Sequence, residues 1–573
     1  MQILNYKEYD EKSASNSIKA IEQTPLRGVF LDRNGEVIVS NIPAYTLRII
    51  PAQYDRKLNR ILEDVLDVDS GYINKILYSN RIYSKYLPVR IKRGIDFKTV
   101  SWLEENSEFL PGVDYIVEMQ RGYPAGIIGS HMFGYTKEIS PELLKKDDYY
   151  EPGDYIGSNG IEKAYEKYLR GEKGYNYILV DSRRKEVGRF NEGNSDLPSI
   201  KGNDLVLSID ADVQRAGEEA FKGYRGAFVA IEPKTGEVLG LGSFPEYDLN
   251  EFSYVTSREY LSELYQDKDK PLFNRATMSV QPPGSTFKIM ESIAALDLGR
   301  ITTSTTFYCP GGFTYGRHFK CDGVHGSLNV IHAIEKSCDV FFYNLIYKIG
   351  IDDWYNYARK FGFAQKTGID IGEESKGFIP DQKYYEKIYG PNWPRSIMAS
   401  LGIGQGEVSI TPIQLAKYVS LVANNGVTYT PHIVKGYLDN KTKKFIPFKF
   451  NKIDIGIDKK IFEIAKEGMY LVVNGSGTAT WIKSNEIKIA GKTGTAQNPH
   501  GKDHALFIGF APFDNPKIAV AVVVENVGFG STYAAPIAKK LIEAYLLKKP
   551  KDDEQKKYEQ KFQPNFIGAK IEN

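Results

Sequence analysis

The chain has 573 residues and a formal net charge of +2, with 74 Lys and Arg residues against 72 Asp and Glu residues. A charge so close to zero argues against nucleic acid or a strongly acidic molecule as the partner. The sequence holds no run of eighteen apolar residues, so no membrane span is expected within it. Its length predicts between two and four domains.

The first third of the chain carries turn and aromatic signals but no pattern typical of catalysis. Residues 27–40 alternate in hydrophobicity around Asn34-Gly35, which predicts a β-hairpin with these two residues at its turn. Three further segments are rich in Gly and aromatic residues: Arg121-Gly-Tyr-Pro124, His131-Met-Phe-Gly-Tyr135 and residues 160–171. We interpret this part as an interaction domain with core aromatics and assign it no catalytic role.

The following part begins with a strand, a turn and a second strand, predicted from the pattern of residues 226–241. Further strands are predicted near the other end of the chain. Together they indicate an antiparallel sheet formed from both ends of one domain, with helices inserted between them. The predicted fold class is therefore α+β.

A serine and a lysine begin a predicted helix in the run Gln-Pro-Pro-Gly-Ser285-Thr-Phe-Lys288. The Pro-Pro-Gly cannot continue a helix, and the apolar run after Ser285 begins one that Gly299 closes. A serine hydroxyl is a poor nucleophile that needs a base, and positions i and i+3 share one helix face. We expect Lys288 to place its amine beside Ser285, at the positive end of the helix dipole. Alone the match is weak, because a serine-capped helix with a solvent-facing lysine has the same pattern.

A second marker, Ser337-Cys338-Asp339, follows 52 residues after Ser285 (337 − 285). It falls in a predicted loop between two amphipathic segments. Ser337 is suited to relay a proton between Lys288 and a leaving amine, and Asp339 to orient that lysine or accept a hydrogen bond from a substrate amide. The alternative makes Asp339 the N-cap of the helix that ends at Gly350, and both roles are compatible.

A third marker, Lys492-Thr493-Gly494-Thr495, lies 155 residues after Ser337 (492 − 337), at the end of a strand predicted from Glu486. We expect the lysine and the two threonine hydroxyls to hold a substrate carboxylate. The backbone N–H of Thr495 is expected to pair with that of Ser285 as an oxyanion hole. Two strands and an amphipathic helix are predicted to complete the domain, at 506–510, 518–524 and about 534–547.

All three cysteines of the chain fall within one short segment. Cys309, Cys321 and Cys338, with His325 between the last two, give the spacing Cys-x11-Cys-x3-His-x12-Cys. Thiolate and imidazole are the ligands that structural zinc prefers. Two alternatives stay open, namely one disulfide with a free thiol and three unpaired thiols. Nearby residues that could replace a metal ligand are His318, His332 and Asp322.

The three markers, in this order, resemble the active-site motifs of penicillin-recognising serine acyl-transferases. The third reads Lys-Thr-Gly as in that family, whereas the second reads Ser-x-Asp where most members have Ser-x-Asn. The aromatic segments of the first third resemble the non-catalytic pedestal of class B penicillin-binding proteins, and the resemblance covers residues 20–548. The Ser-Cys-Asp form is more similar to the cell-elongation enzymes of that class than to its division enzymes.

The resemblance implies an α+β penicillin-binding transpeptidase domain, with an antiparallel sheet flanked by helices, preceded by an elongated pedestal. We place a juxtamembrane linker at 1–24, the pedestal at 25–200, the transpeptidase domain at 201–548 and a solvated tail at 549–573. Class B enzymes carry one N-terminal membrane anchor, expected ahead of a segment like residues 6–13 and absent from this sequence. The implied location is the inner membrane, with the catalytic domain in the periplasm.

The implied activity is peptidoglycan D,D-transpeptidation through an acyl-enzyme on Ser285 during cell elongation. Stem peptides are the implied substrates, β-lactams the implied inhibitors, and no catalytic cofactor is implied. Some members of the family hold a structural zinc through Asp, Cys and His in this segment, one ligand being the middle residue of the Ser-x-Asp motif, here Cys338. Membrane proteins of the elongation machinery are implied as partners of the pedestal.

Two rival functions are compatible with parts of the sequence. A serine β-lactamase or β-lactam sensor would use the same three markers, but a β-lactamase needs no pedestal of about 200 residues. A non-catalytic scaffold of the elongation machinery would use the pedestal alone. The presence of Ser285, Lys288 and Lys492 together argues against an idle domain.

Overall fold

The computed structural model describes residues 18–81, 85, 86, 88–180, 186–253, 256–499 and 501–548. The expected segment at 6–13 and the expected tail at 549–573 lie outside these residues. Among the residues described, no helix is both long and apolar enough to cross a lipid bilayer.

The N-terminal domain consists mostly of short strands connected by short helices. Its strands are β1 (Ile18–Gln23), β2 (Phe30–Leu31), β3 (Val37–Ile49), β4 (Val89–Ile95), β5 (Val113–Gly122), β6 (Thr136–Glu138), β7 (Tyr155–Gly157), β8 (Gly174–Val180), β9 (Glu186–Arg189) and β10 (Asp204–Leu207). Its α-helices are Asn59–Val65, Tyr72–Ser79, Phe97–Glu105, Ser130–Phe133, Pro141–Leu144, Gly160–Ala164 and Glu166–Leu169.

The long strand β3 organises this domain. It forms the predicted hairpin with β2 around Asn34 and Gly35, and Gly35 has the positive φ of 89° that such a turn favours. Farther along, β3 pairs with β4 on one side and β5 on the other, both antiparallel. Leu47 and Ile49 of β3 pack with Leu62, Ile73 and Leu103 of the neighbouring helices into a separate small core. This core is independent of the larger one in the rest of the molecule.

One sheet joins the two parts of the chain. Its strand order is β19-β18-β10-β2-β3-β4, with β5 paired to β3, and β18 and β19 come from residues 434–447. The predicted domain boundary at 200/201 therefore lies just before β10, a strand of the sheet that both parts of the chain share. At the other end, β1 pairs with β8, so residues 18–23 of the predicted linker form an ordered strand.

Two of the aromatic segments meet in a buried network of charges. Glu162 accepts hydrogen bonds from Arg27 at 2.6 Å and from Arg121 at 2.7 Å. Glu166 binds the other side of the Arg27 guanidinium at 2.6 and 2.9 Å, and Arg121 also donates to Gly28 O at 2.9 Å. The oxygens of both carboxylates and the three Arg27 nitrogens are all paired, whereas Arg121 Nη2 is buried without a hydrogen-bond partner. Buried charges are tolerated where they are paired in this way. The network gives the Arg-Gly-Tyr-Pro and 160–171 segments a structural role.

The C-terminal domain contains a five-stranded antiparallel sheet of order β12-β11-β23-β22-β21, which confirms the expected fold. The strands from 226 onward are β11 (Gly226–Ile231), β12 (Val238–Phe244), β13 (Phe307–Cys309), β14 (Gly312–Tyr315), β15 (Arg317–Lys320), β16 (Gly326–Leu328), β17 (Val427–Tyr429), β18 (Val434–Leu438), β19 (Phe445–Pro447), β20 (Lys452–Asp454), β21 (Ala490–Ala496), β22 (His504–Ala511) and β23 (Ile518–Val524). The α-helices are Ala211–Ala220, Arg258–Gln266, Arg275–Met278, Lys288–Asp297, Val330–Lys336, Asp339–Ile349, Ile351–Lys360, Gln382–Tyr389, Ile397–Leu401, Pro412–Ala423, Lys459–Asn474 and Gly530–Leu546.

Helices cover both faces of this sheet. Ala211–Ala220 and Gly530–Leu546 pack on one face, and Pro412–Ala423 packs on the other. The last helix begins at 530 rather than at the predicted 534. A Cβ at Gly530 would lie 2.2 Å from Gly494 O, so the missing side chain lets the helix begin directly against β21 and β22.

The strand that carries the third marker also differs from its prediction. It was expected from Glu486, but β21 begins at Ala490. Ile487 and Ile489 are buried and keep the alternating pattern. The partner strand β22 ends at Ala511 because Pro512 has no N–H to continue the ladder. The alternating hydrophobic pattern therefore begins several residues before the backbone pairing that defines β21.

A short segment of the pedestal, residues 128–131, inserts into the catalytic domain. Glu218 accepts hydrogen bonds from the backbone N–H groups of Ile128 and Gly129 at 3.0 and 3.1 Å. Glu246 accepts from the N–H of Ser130 at 2.8 Å, and His131 Nε2 lies 2.7 Å from Pro271 O. We call residues 128–131 the interdomain plug.

Candidate active site

Ser285 lies in a 3₁₀ turn, Gly284–Phe287, that continues into the Lys288–Asp297 helix. The turn is tightly enclosed. A Cβ at Gly284, whose φ is +53°, would lie 2.7 Å from Thr495 O, and a Cβ at Gly404 would lie 2.3 Å from Gly284 O. These two glycines allow the turn to lie against β21, so Ser285 stands half-buried next to the third marker.

The buried Lys288 side chain reaches the second marker. Its Nζ donates to Asp339 Oδ1 at 2.5 Å and to Ser337 O at 2.8 Å, and lies 3.2 Å from Ser337 Oγ. Burial raises the pKa of the Asp339 carboxyl, against the opposing effect of Lys288. Among the residues that the structure describes, no hydrogen bond joins Lys288 to the Ser285 hydroxyl. The predicted base is thus held by Asp339 and Ser337, one helical turn from the serine it is predicted to serve.

Lys492 approaches the same serine of the second marker from β21. Its Nζ lies 2.8 Å from Ser337 Oγ and 3.2 Å from Thr493 O, and the side chain is fully buried. Burial, followed by the nearby charge of Lys288, lowers the pKa of Lys492 well below its ordinary value. Ser337 itself has φ +55°, a left-handed conformation that is unusual for serine. The structure therefore connects four predicted residues in the order Lys492, Ser337, Lys288 and Asp339.

The predicted N-cap role of Asp339 is wrong. Cys338 has the extended conformation of an N-cap residue, and Asp339 is the first residue of the Asp339–Ile349 helix. The carboxylate of Asp339 is therefore free to bind Lys288 instead of the helix N–H groups. The contact with Lys288 fits the predicted role of orienting the lysine, and the hydrogen bond to a substrate amide stays a prediction.

Strand β21 is the outermost strand of the five-stranded sheet, and the serine turn lies along it. Gly494 permits this approach, since a Cβ there would lie 2.9 Å from Thr286 Cγ2 and 3.0 Å from Pro283 O. Thr495 is adjacent to the turn, because its carbonyl is close to Gly284 and also accepts a hydrogen bond from Gln405 Nε2 at 3.0 Å. The two backbone segments expected to form an oxyanion hole therefore run side by side.

Two residues of this region were missed by the sequence analysis. Gln405 binds Thr495 O, and Thr478 Oγ1 lies 2.6 Å from Thr493 Oγ1. Each lies in a glycine-rich loop, Gly402-Ile-Gly-Gln-Gly406 and Gly475-Ser-Gly-Thr478. Such loops allow a close approach of backbones and would have been the signal for both residues.

The three cysteines and His325 converge on one point. The Sγ atoms of Cys309 and Cys321 lie 3.6 and 3.5 Å from His325 Nδ1, and all four potential ligand atoms, including Cys338 Sγ, lie within 4.8 Å of one another. Neither alternative histidine belongs to the group, because His318 binds Thr314 and His332 binds Glu335. The remaining alternative, Asp322, is also outside it.

The chemistry of this group fits a metal ion. A hydrogen bond from Cys338, helped by backbone N–H groups of residues 323, 339 and 340, lowers the pKa of the Cys321 thiol well below that of an ordinary cysteine. A thiolate is the form that binds metal. Three sulfur atoms and one imidazole nitrogen within this radius match the number and type of ligands in tetrahedral zinc sites. Cys338 directly links this group to Ser337 and Asp339.

Comparison with protein families identifies both halves of the chain. Residues 226–543 match the family described as the penicillin binding protein transpeptidase domain. Residues 22–207 match the penicillin-binding protein dimerisation domain.

Individual relatives cover almost the whole chain. Peptidoglycan D,D-transpeptidase MrdA of Haemophilus influenzae is 33% identical over 95% of this chain and 88% of its own length. MrdA of Escherichia coli K12 is 34% identical over 92% of this chain and 88% of its own. Among solved structures, PBP2 of Pseudomonas aeruginosa in complex with WCK 5153 has a TM-score of 0.71 and 32% identity over 94% of this chain and 98% of its own. The complex between PBP2 and MreC from Helicobacter pylori has a TM-score of 0.77 and 29% identity over 93% of this chain and 99% of that one.

The transpeptidase domain behind a dimerisation domain defines the class, and the chain belongs to the class B penicillin-binding proteins. It is an enzyme of the serine acyl-transfer type. Within the class it is similar to penicillin-binding protein 2, the transpeptidase of cell elongation.

Proposed function

We propose that this protein cross-links peptidoglycan stem peptides during cell elongation, with Ser285 as the nucleophile. The observation that carries the proposal is the hydrogen-bonded series Lys492, Ser337, Lys288 and Asp339 beside the Ser285 turn. The related MrdA proteins are named for the same reaction.

Each residue of the series has a role in the first half of the reaction. The Ser285 oxygen attacks the carbonyl carbon of the penultimate D-Ala, while its proton passes to the Lys288 amine. The N–H groups of Ser285 and Thr495 stabilise the oxyanion. Ser337 then relays the proton to the leaving amine, the terminal D-Ala departs, and an acyl-enzyme remains.

The second half reverses these transfers. The amine of a neighbouring stem peptide attacks the acyl-enzyme carbonyl and loses its proton through the same route, which returns the proton to Ser285 as the cross-link forms. Asp339 keeps the Lys288 amine in place throughout, with support from the 2.5 Å contact. Lys492 and the hydroxyls of Thr493 and Thr495 hold the substrate carboxylate.

β-Lactams would acylate the same serine, because their strained amide presents a carbonyl and a carboxylate in the arrangement of the peptide substrate. Mass spectrometry after incubation with a penicillin tests the proposal directly. The expected result is a lasting adduct on Ser285. Rapid turnover of the drug without an adduct would instead favour a β-lactamase.

A structural zinc is the second part of the proposal, with Cys309, Cys321, His325 and Cys338 as ligands. Support comes from the convergence of these four side chains and from the thiolate character of Cys321. When bound, the metal would supply a rigid cross-link and no catalytic chemistry. By fixing Cys338 it would fix Ser337 and Asp339, the residues that face Lys288.

The pedestal is proposed to bind a membrane protein of the elongation machinery, and the related PBP2 of Helicobacter pylori forms a complex with MreC. Support comes from an uncovered part of the β3–β5 surface. Val117 and Met119 are 55% and 46% exposed, and Met119 lies opposite Pro43 in the register. Apolar residues side by side on an exposed strand pair are typical of a protein contact. Because peptidoglycan lies outside the cytoplasmic membrane, we place the catalytic domain in the periplasm, held to the inner membrane by an N-terminal anchor.

A further inference from the structure

A loop after the Lys459–Asn474 helix runs from the second marker to the third. We call residues 475–480 the strap. At its start, Glu335 Oε1 accepts hydrogen bonds from Ser476 N at 2.7 Å and Ser476 Oγ at 3.0 Å. Lys336 Nζ donates to Ser476 O at 2.9 Å and to Ser476 Oγ at 2.7 Å. Because Glu335 and Lys336 directly precede Ser337, the strap is attached to the residues that present Ser337.

Glycines allow the strap to lie this close. A Cβ at Gly475 would lie 2.6 Å from Glu335 Oε1, and a Cβ at Gly477 would lie 2.4 Å from Val472 Cα. Side chains at either position would push the strap away from its anchor. The residue before the strap, Asn474, is also held in place. Its Nδ2 donates to the O atom of Ile489 at 2.8 Å, directly before β21.

The strap contacts the third marker at Thr478. Thr478 Oγ1 lies 2.6 Å from Thr493 Oγ1, and the Thr478 side chain is exposed whereas Thr493 is 8% exposed. A ligand group that reaches the Thr493 hydroxyl therefore arrives beside the hydroxyl of Thr478. Each of these two hydroxyl groups can both donate and accept a hydrogen bond.

We propose that Thr478 is a positioning residue that turns the Thr493 hydroxyl toward the substrate carboxylate; this rests on the proposed function. A hydroxyl has only one proton to donate. When Thr493 donates its proton to a carboxylate, the 2.6 Å contact persists only with Thr478 as the donor. Donation from Thr478 also polarises the Thr493 hydroxyl and strengthens its bond to the carboxylate. The strap fixes Thr478 for this task through Glu335 and Lys336.

Benzylpenicillin and its methyl ester separate this role from a merely structural one, because only the acid carries a free carboxylate. The second-order rate constant of acylation is measured with both compounds on the full chain and on Thr478→Val and Thr478→Ser. We expect Thr478→Val to slow acylation by the acid about tenfold and to leave the ester unchanged. Thr478→Ser restores the hydroxyl and should recover the rate with the acid. Since Thr478 is exposed, both variants should keep the melting temperature of the unmodified protein.

Ser476→Ala provides a second, weaker perturbation, because the N–H of residue 476 still reaches Glu335. It should slow acylation by the acid about threefold and again spare the ester. Equal slowing with acid and ester in either variant, or no slowing of the acid in Thr478→Val, would overturn the proposal. Failure of the unmodified protein to react with either compound would count against the proposed function instead.

Discussion

The amine of Lys492 lies 2.8 Å from the hydroxyl of Ser337. The same hydroxyl lies 3.2 Å from the amine of Lys288, so Ser337 stands between two buried lysines. Burial, followed by the nearby charge of Lys288, lowers the pKa of Lys492. Lys288 differs from it in having a carboxylate partner, Asp339. Ser337 therefore lies in contact with both lysines, which suits a side chain proposed to relay a proton in each turnover.

The first prediction concerns the nucleophile. Ser285→Ala should abolish the covalent penicillin adduct and change the free energy of unfolding by less than about 1 kcal/mol, because only one hydroxyl of a half-buried side chain is removed. Intact-mass spectrometry and thermal unfolding are the two measurements. An adduct that survives the substitution would show that another residue is acylated.

The second prediction separates the two lysines. Lys288→Arg should reduce the acylation rate by about a thousandfold, since a guanidinium cannot accept a proton at neutral pH. Lys492→Arg should lose only about ten- to a hundredfold, because a positive charge for the substrate carboxylate is kept while one hydrogen bond is altered.

The lowered pKa of Lys492 makes this comparison decisive. If Lys492 were the base, its replacement by arginine would be the more damaging of the two. Stopped-flow acylation of both variants at one pH distinguishes the cases. Equal losses in the two would remove the assigned division of roles.

The third prediction concerns the metal. Purified protein kept under reducing conditions should contain about one equivalent of zinc, and Cys321→Ser should lose most of it. Loss of the metal should lower the melting temperature and slow acylation together, because Cys338 lies between Ser337 and Asp339. Elemental analysis, melting curves and acylation rates check the three effects. Ser304→Ala, an exposed site in the same region, is a matched control that should change none of them.

The fourth prediction uses the interdomain plug. Burial, followed by the nearby Glu218 carboxylate, raises the pKa of Glu246 to about 8 from its ordinary 4.5. In the unfolded chain this group loses its proton near pH 4.5, while in the folded chain it keeps it until about pH 8. The free energy of unfolding should therefore fall as pH rises through this window, on the order of 5 kcal/mol.

Glu246→Gln should remove that part of the pH dependence, because the amide is neutral at every pH. Burial lowers the pKa of His131 to about 4, and this histidine therefore weakens the fold on the acid side of pH 6.5. Burial also raises the pKa of the neighbouring Glu218, so Glu246 is assessed by the difference between the two proteins in denaturant unfolding between pH 6.5 and 9. A variant as pH-sensitive as the original protein would contradict the assignment.

The sequence indicates which residues belong to the candidate site but not the contacts among them. Ser285, Ser337 and Lys492 follow from the types and order of three short motifs. The grouping of the three cysteines with His325 was expected from their concentration in one segment. The sequence did not predict the features that depend on each residue's surroundings, such as which residue caps a helix and which side chains are in contact. Asp339 does not cap its helix because Cys338 adopts the extended conformation that precedes it.

Long-range pairing explains the remaining differences. Strand β21 is shorter than its alternating pattern because Pro512 ends the partner strand. Thr478 was missed because its partner Thr493 is brought near only by the course of the strap. The joint sheet was missed because β18 lies more than 200 residues after β10 (434 − 207 = 227), a separation that no local pattern reports.

The joint sheet limits how this protein can be divided. Removing residues 1–200 would take away β2, the parallel neighbour of β10, and leave the N–H and C=O groups of β10 unpaired along one side. Exposed strand edges of this kind recruit other chains and promote aggregation. The small core around Leu47 and Leu62 belongs to the part that would be removed. An isolated catalytic fragment cut at 201 would thus expose the unpaired edge of β10 near its N-terminus. A fragment that also keeps β2 and its hairpin partner β3 would have this edge of β10 paired.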